Sequence, residues 1–372
     1  MHRGVREFIQ WIEKNRDRSD IKLNPPATAA ELSALEQQLG GPLPADLRFV
    51  LGRFNGGDLP TGSLLPGGIE PGTIGAAVRK YAEAVGADFL DPELLLPFFR
   101  TAEDSLLCFD RSAGPVSDTW PIVDYDSESG EERLVYRTFD GFCRNCVADW
   151  TAPDFHAEFT LDTYLNKGRR HAAIEHDVAS AHATVAHASK RAGLADEALE
   201  SYLKAARCVP PLPWCDWEAL KIAVLIGSNE AAFEAASRLC SRAPAARWQA
   251  RETTPGRVAE VIGAAAARAD DTTRWVRLLD QLAAQTDDAS ERAVVDAVRA
   301  AAKAGAPMPD PRPVRSGSVV AAEPDAETFW QAARKAYLEG RLRDEDLLFD
   351  PAMLRLAEVK PIGDLLRIRR DF

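Results

Sequence analysis

Five carboxylates crowd into nine residues of this chain. Asp124, Asp126, Glu128, Glu131 and Glu132 stand in DYDSESGEE with no Lys or Arg among them. Such a group can chelate a hard cation, dock a basic surface, or simply solvate the tip of a hairpin. The calcium-loop order D-x-D-x-D-G is not met, because Ser127 and Ser129 separate the acids and Gly130 arrives late. Two readings remain: a solvated tip, and an anionic patch for a basic partner. Cys143 and Cys146 form the one tight cysteine pair, in FCRNCVAD. A zinc site asks for a second pair or spaced histidines, and Cys208 and Cys215 are too far apart to supply it. A redox pair asks for a βαβ setting, which the local pattern lacks. Two ordinary cysteines near a strand end is the expectation. His171, His176, His182 and His187 follow at steps of five and six, which favours surface or core histidines over a helical i, i+4 metal site.

Gly56-Gly57, in LPADLRFVLGRFNGG, raises the question of a phosphate loop. These glycines follow a helical pattern rather than precede one, and no Lys-Ser/Thr comes after them. A helix C-terminus repels anions, so the phosphate reading falls, and FNGG reads as a helix C-cap. No G-x-S-x-G elbow or local Cys/His nucleophile signature is present; an enzyme with dispersed catalytic residues stays open as an alternative. No cofactor or metal is expected.

The elements that must carry these residues are legible from periodicity. Val5, Phe8, Ile9 and Ile12 make an amphipathic first helix. Thr28 and Glu31 spell a capping box after Pro25-Pro26, with Leu32, Leu35 and Leu39 as its apolar face and Gly40-Gly41 at its end. Pro44 opens a second helix whose buried stripe is Leu47, Val50, Leu51 and Phe54. Residues 58–74 read as a long Gly/Pro loop, followed by a short helix, AAVRKYAEAV. LLLPFF, SLLCFD, WPIVDYD and ERLVYRTF are four strand-like runs, the acidic stretch forming the turn between the last two. FHAEFTLDTYL turns helical again, with Phe155, Phe159 and Leu165 as core candidates. Helices, then strands, then a helix spell α+β.

From about 172 the strand signals vanish and alanine becomes dense. Gly193, Ala198, Tyr202, Ala205 and Pro210 recur 34 residues later as Gly227, Ala232, Ala236, Leu239 and Pro244. Trp275, Leu279 and Leu282 give a weaker third copy. That period and those offsets resemble tetratricopeptide repeats, here degenerate, with His182 where the repeat favours tryptophan. Stacked helix pairs would offer a groove for a peptide or helix. AGAPMPDPRPVRSGS reads as a linker. A last helix, with Phe329, Ala333 and Tyr337 on one side, breaks at Gly340, and the tail beyond is too short for a core of its own.

Net charge is −12, and residues 1–170 hold 18 Lys+Arg against 27 Asp+Glu, so the acidity is concentrated in the first half. Such a surface repels a phosphate backbone and suits a basic protein partner. No apolar run approaches a membrane span, the N-terminus does not read as a signal peptide, and six cysteines without one suggest reduced thiols in a cytosol.

The run PPATAAELSALEQQLGGPLPADLRFVLGRFNGG, with LLPFFRTAEDSLLCFD, WPIVDYDSESGEE and FHAEFTLDTYLNKG after it, resembles the SUKH superfamily, in particular its Smi/Knr branch, over roughly 25–168. TAEDS departs from the glycine-rich turn usual there. The resemblance implies an α+β fold with a mixed sheet and a non-enzymatic role: bacterial members are taken to be immunity proteins that neutralise toxins, often nucleases, and fungal relatives are regulatory interaction proteins. The expected organisation is therefore an α+β domain at 1–170, an all-α repeat domain at 172–305, a linker at 306–322 and a helical tail at 323–372. The expected role is a cytoplasmic, bacterial immunity-type or regulatory binder, with a basic toxin as candidate partner for the acidic hairpin. A scaffold acting through the repeat groove is the alternative.

Overall fold

The computed structural model describes residues 1–78, 94–113, 120–125, 132–242, 253–314, 317–322 and 325–371. The chain divides into two compact units: Met1–Glu158 with Asn166–Ala181, and Phe159–Leu165 with His182–Phe372.

The first unit is α+β. Its seven strands are β1 (Lys22–Leu23), β2 (Gly57–Leu59), β3 (Gly62–Leu64), β4 (Leu95–Thr101), β5 (Leu106–Asp110), β6 (Ile122–Tyr125) and β7 (Glu132–Tyr136), in spatial order one to seven. Every neighbouring pair is antiparallel, which corrects the mixed sheet that the family resemblance implied. A meander in sequence order needs no crossover, so nothing forces a parallel pair. β5 alternates strictly: Leu107 and Phe109 enter the main core, Leu106 and Cys108 a second cluster with Leu95, Val123 and Tyr125. Pro97 sits at a register shift in β4, where a residue without an N–H is tolerated.

Helices α1 (Arg3–Lys14), α2 (Ala29–Gln38), α3 (Ala45–Leu51) and α4 (Phe139–Trp150) belong to this unit. The α1 stripe Val5, Phe8, Ile9 and Ile12 is buried, and so is the α3 stripe with Phe54. The capping box of Thr28 and Glu31 is formed in both directions. Pro44 stands one place earlier than expected, at the N-cap of α3. α4 was hidden in the sequence: FDGFCRNCVADW carries Cys143 and Cys146 on a helix, not at a strand end, and both are buried. Phe98, Phe109, Phe139 and Phe142 pack edge-on and tilted within the core.

Segment 58–74, read as a loop, holds most of the hairpin β2–β3. These strands are three residues each, too short to show alternation. Residues 74–78 are helical, and the rest of that predicted helix lies outside the described residues. Asp104 closes the β4–β5 turn with φ +67°, supplying in TAEDS the conformation a glycine would otherwise take. Phe159 is 69% exposed and precedes the next helix, α5 (Leu161–Ile174), whereas Leu165 is buried as expected.

The second unit is all helical among its described residues. Its helices are α6 (Ala179–Arg191, entering from the first unit), α7 (Ala195–Arg207), α8 (Trp214–Ile226), α9 (Asn229–Ser241), α10 (Pro255–Ala266), α11 (Thr273–Ala284) and α12 (Ala289–Ala304). The tail adds α13 (Ala326–Leu338), α14 (Asp344–Phe349), α15 (Pro351–Ala357) and a 3-10 turn at Ile362–Arg367. Ala198, Tyr202 and Ala205 on α7, Ala232, Ala236 and Leu239 on α9, and Trp275, Leu279 and Leu282 on α11 are all buried. Gly193 and Gly227 end the preceding helices with φ +76° and +78°. The equivalent offsets therefore fall on equivalent packing positions; Pro244 lies outside the described residues. The Pro-rich stretch is not free chain: Arg312 pairs with Glu260 and Glu291, and Arg257 donates to the carbonyls of Arg312 and Pro313.

Candidate functional site

The acidic hairpin is built on β6 and β7. Asp124 lies opposite Arg133 in the antiparallel register, and the guanidinium meets its carboxylate at 3.1 Å. The basic residue one position beyond the acidic run thus offsets its first member, which is what cross-strand register does and a linear reading misses. Glu132 opens β7 opposite Tyr125. Asp126, Glu128 and Glu131 lie outside the described residues.

A second polar group ties α4 to α5 within the first unit. Asp149 is 5% exposed and meets His171 Nε2 at 2.9 Å, Arg170 at 3.5 Å and Lys167 at 3.7 Å. Burial alone would raise its pKa; His171, Lys167 and Arg170 outweigh it and hold the carboxyl below its ordinary value. Nearer the start of α4, Glu175 fits against Gly141, where any Cβ would collide with its Oε1. It accepts from the Arg137 backbone N–H at 3.0 Å, and burial pushes its carboxyl up. His171 stands on α5, His176 in the break after it, and His182 and His187 on α6, so the four do not share one helix. Burial pushes the thiols of Cys143 and Cys146 well up, which disfavours the thiolate that redox or metal chemistry needs. Among the described residues, no group of three or more His, Cys, Asp and Glu is placed to hold a metal ion, and no helix is long and apolar enough to cross a membrane.

A buried charge cluster lies in the second unit, where no motif pointed. α6 supplies Lys190, α8 supplies Glu218 and Lys221, and α14 supplies Asp344 and Glu345. Glu218 is shared, 2.9 Å from Lys190 and 2.6 Å from Lys221. Lys190 also pairs with Asp344, and Lys221 with Glu345. Lys221 is 1% exposed. Burial lowers a lysine and raises a glutamate, yet the mutual attraction wins at every member with a resolved shift: Lys190 and Lys221 are raised, Glu345 is lowered, and Glu218 is lowered to about 2. These residues are up to 155 positions apart in sequence, so only the tertiary fold brings them together.

The Asn-Gly-Gly at 55–57 is also more than a cap. α3 ends earlier, at Leu51. Asn55 Oδ1 accepts from the Gly67 N–H at 2.7 Å and its amide donates to the Gly67 carbonyl at 3.1 Å. Its own carbonyl accepts from Asn24. Gly56 and Gly57 have φ +72° and +129°, and a Cβ at Gly57 would strike the Lys22 carbonyl oxygen. The motif is a clasp that joins α3 to the β1–β2 edge.

Compared with known proteins, residues 26–145 match the profile of the SMI1 / KNR4 family (SUKH-1), a family known for immunity-type or interaction modules. The match spans about a third of the chain and includes Asn55–Gly57, strands β2 to β7 and the acidic run between the last two. No curated protein sequence matches the chain.

Proposed function

We propose that this protein is a non-enzymatic interaction protein whose first domain, residues 1–170, binds a basic protein partner through the acidic hairpin. The family match over 26–145 is the observation that carries this reading, because it contains both strands of that hairpin. The partner that fits is a basic toxin, as for an immunity protein, in a bacterial cytoplasm; a regulatory target is the other form of the same reading. Asp126, Glu128, Glu131 and Glu132 are the contact residues, with Asp124 contributing less because Arg133 offsets it. An enzyme that acts on a polyanion must present a basic face, so an acidic inhibitor is complementary to it. Residues 172–305 are tetratricopeptide-like, joined through 306–322 to a tail at 323–372.

The test is binding of the purified chain to toxins encoded beside its gene, by calorimetry at two salt concentrations. Reversing Asp126, Glu128 and Glu131 to Lys should weaken the complex and flatten its salt dependence. A failure to bind any of these toxins, or a complex indifferent to the reversal, overturns the reading. A scaffold acting through the repeat groove is favoured less, because the chain's own α14 already pairs with the groove helices α6 and α8.

A further inference from the structure

Within the second unit, a cleft of about 350 Å3 opens between the C-terminal end of α8 and the tail. Leu225, Ile226 and Gly227 form one wall; Lys360, Asp364 and Arg367 belong to the tail, and Arg268 follows α10. Two glycines shape it. Gly363 brings the tail onto α8, since a Cβ there would sit 2.1 Å from the Leu225 carbonyl oxygen. Gly227 ends the helix at φ +78°, and nothing lies within 4 Å of where its Cβ would be. The tail therefore touches the helix end at one point and leaves space beside it.

The charges of the cleft are met with one exception. Lys360 pairs with Glu327 at 2.6 Å, and Arg367 pairs with Asp196 at 2.8 Å and lies 3.9 Å from Asp364. Arg268 is exposed and has no carboxylate partner among the described residues. Its Nη1 donates to the Val224 carbonyl at 2.8 Å, which fixes the guanidinium at the helix end. The last carbonyls of a helix lack partners within it. Those of Ala223 and Val224 accept from Ser228, Gly227 and Arg268, which leaves Leu225 and Ile226 to the cleft. We propose that this cleft binds a small organic acid with one carboxylate, a neighbouring hydroxyl and an apolar body, and that Arg268 anchors the carboxylate.

Each part of the ligand follows from a part of the wall. A guanidinium fork matches a carboxylate through two parallel N–H···O bonds. One unmatched cation asks for one negative charge, and the C-terminal end of α8 works against a second, so a carboxylate fits better than a phosphate dianion. The Leu225 and Ile226 carbonyls accept from a hydroxyl. The half-buried side chains of Leu225 and Ile226, with the exposed Pro361, offer apolar surface. The cleft shares no residue with the acidic hairpin, so failure of either proposal leaves the other standing.

The probes are 3-phenyllactate and 2-hydroxyisocaproate, titrated into the full chain by calorimetry, with hydrogen exchange to locate them. At least one binds, and the amides of residues 225–228 and 362–364 gain protection. Arg268→Gln weakens that binding about tenfold or more, as loss of hydrogen bonds to a charged group does. Should that variant melt differently from the parent, Arg268→Lys, which keeps the charge without the fork, is read in its place. The methyl ester of the probe, which lacks the charge, and phenyl phosphate, which carries more of it, both bind more weakly than the acid. Four results overturn the proposal: no binding of either probe, protection gained only elsewhere in the chain, an affinity unchanged by the Arg268 substitution, or an ester or phosphate that binds as tightly as the acid.

Discussion

Gly57 shows what a single position can demand. With φ +129° and the Lys22 carbonyl where a Cβ would sit, it is both conformationally and sterically restricted to glycine. Gly57→Ala is expected to cost at least about 2 kcal/mol, read from the denaturant midpoint of the chain. A loss below half that would mean the β1–β2 edge can shift to make room. Lys221 makes the opposite kind of demand. It is buried with Glu218 and Glu345 as its partners, and removing it takes the ammonium from Glu345 and leaves Glu218 with Lys190 alone. Lys221→Ala should therefore destabilise by about 3–5 kcal/mol, whereas a combined change that also replaces Glu218 and Glu345 by apolar residues should cost far less. Urea titration of the three chains separates charge pairing from packing.

At the scale of elements, helix ends and junctions decide where surfaces lie. The Thr28–Glu31 box caps α2 with both reciprocal bonds; Thr28→Ala should cost about 1 kcal/mol, and Thr28→Ser should recover most of it in the same melt. The Glu175 carboxyl sits beside the first turn of α4, buried, with its pKa raised. A raised carboxyl means that the charged form is disfavoured in the folded state, so its ionisation works against folding as pH rises past its ordinary value. Glu175→Gln keeps an acceptor for the Arg137 N–H and carries no charge. It should match or exceed the parent in stability at pH 7, and the difference should vanish in acid, as followed by equilibrium unfolding across pH.

For the whole molecule, the charge cluster around Glu218 sets an acid limit on the helical unit. Its folded pKa of about 2 lies below the ordinary 4.5, and that of Glu345 is also lowered. A lowered carboxyl contributes stability that is complete above pH 4.5 and is lost as pH falls towards 2. The gap in unfolding free energy between the parent and Glu218→Gln should therefore close over that window; a gap constant with pH would show that Glu218 acts through shape alone. The same network keeps α14 on the inner face of the array, so acid should also raise exchange of the 343–349 amides.

Whatever depends on local period and chain stereochemistry is legible along the chain. The sequence specified the stripes of α1 and α3, the capping box at Thr28, the four longer strands, the all-helical second half and the 34-residue recurrence, because each is encoded by neighbours within a few turns or by spaced copies of them. It left α4 unseen, since FDGFCRNCVADW mixes polar and apolar residues without a clean stripe, and it left β1 to β3 unseen because two or three residues carry no period. Which charges meet is settled by the packing of elements distant in sequence. Arg133 reaches Asp124 through strand register, Asn55 reaches Gly67 across a hairpin, and Glu345 reaches Lys221 from 124 residues away. Coulomb attraction acts through space and leaves no mark on sequence spacing, so the acidic run could be read directly while the pairing of Lys190 and Lys221 with Asp344 and Glu345 emerged only on folding.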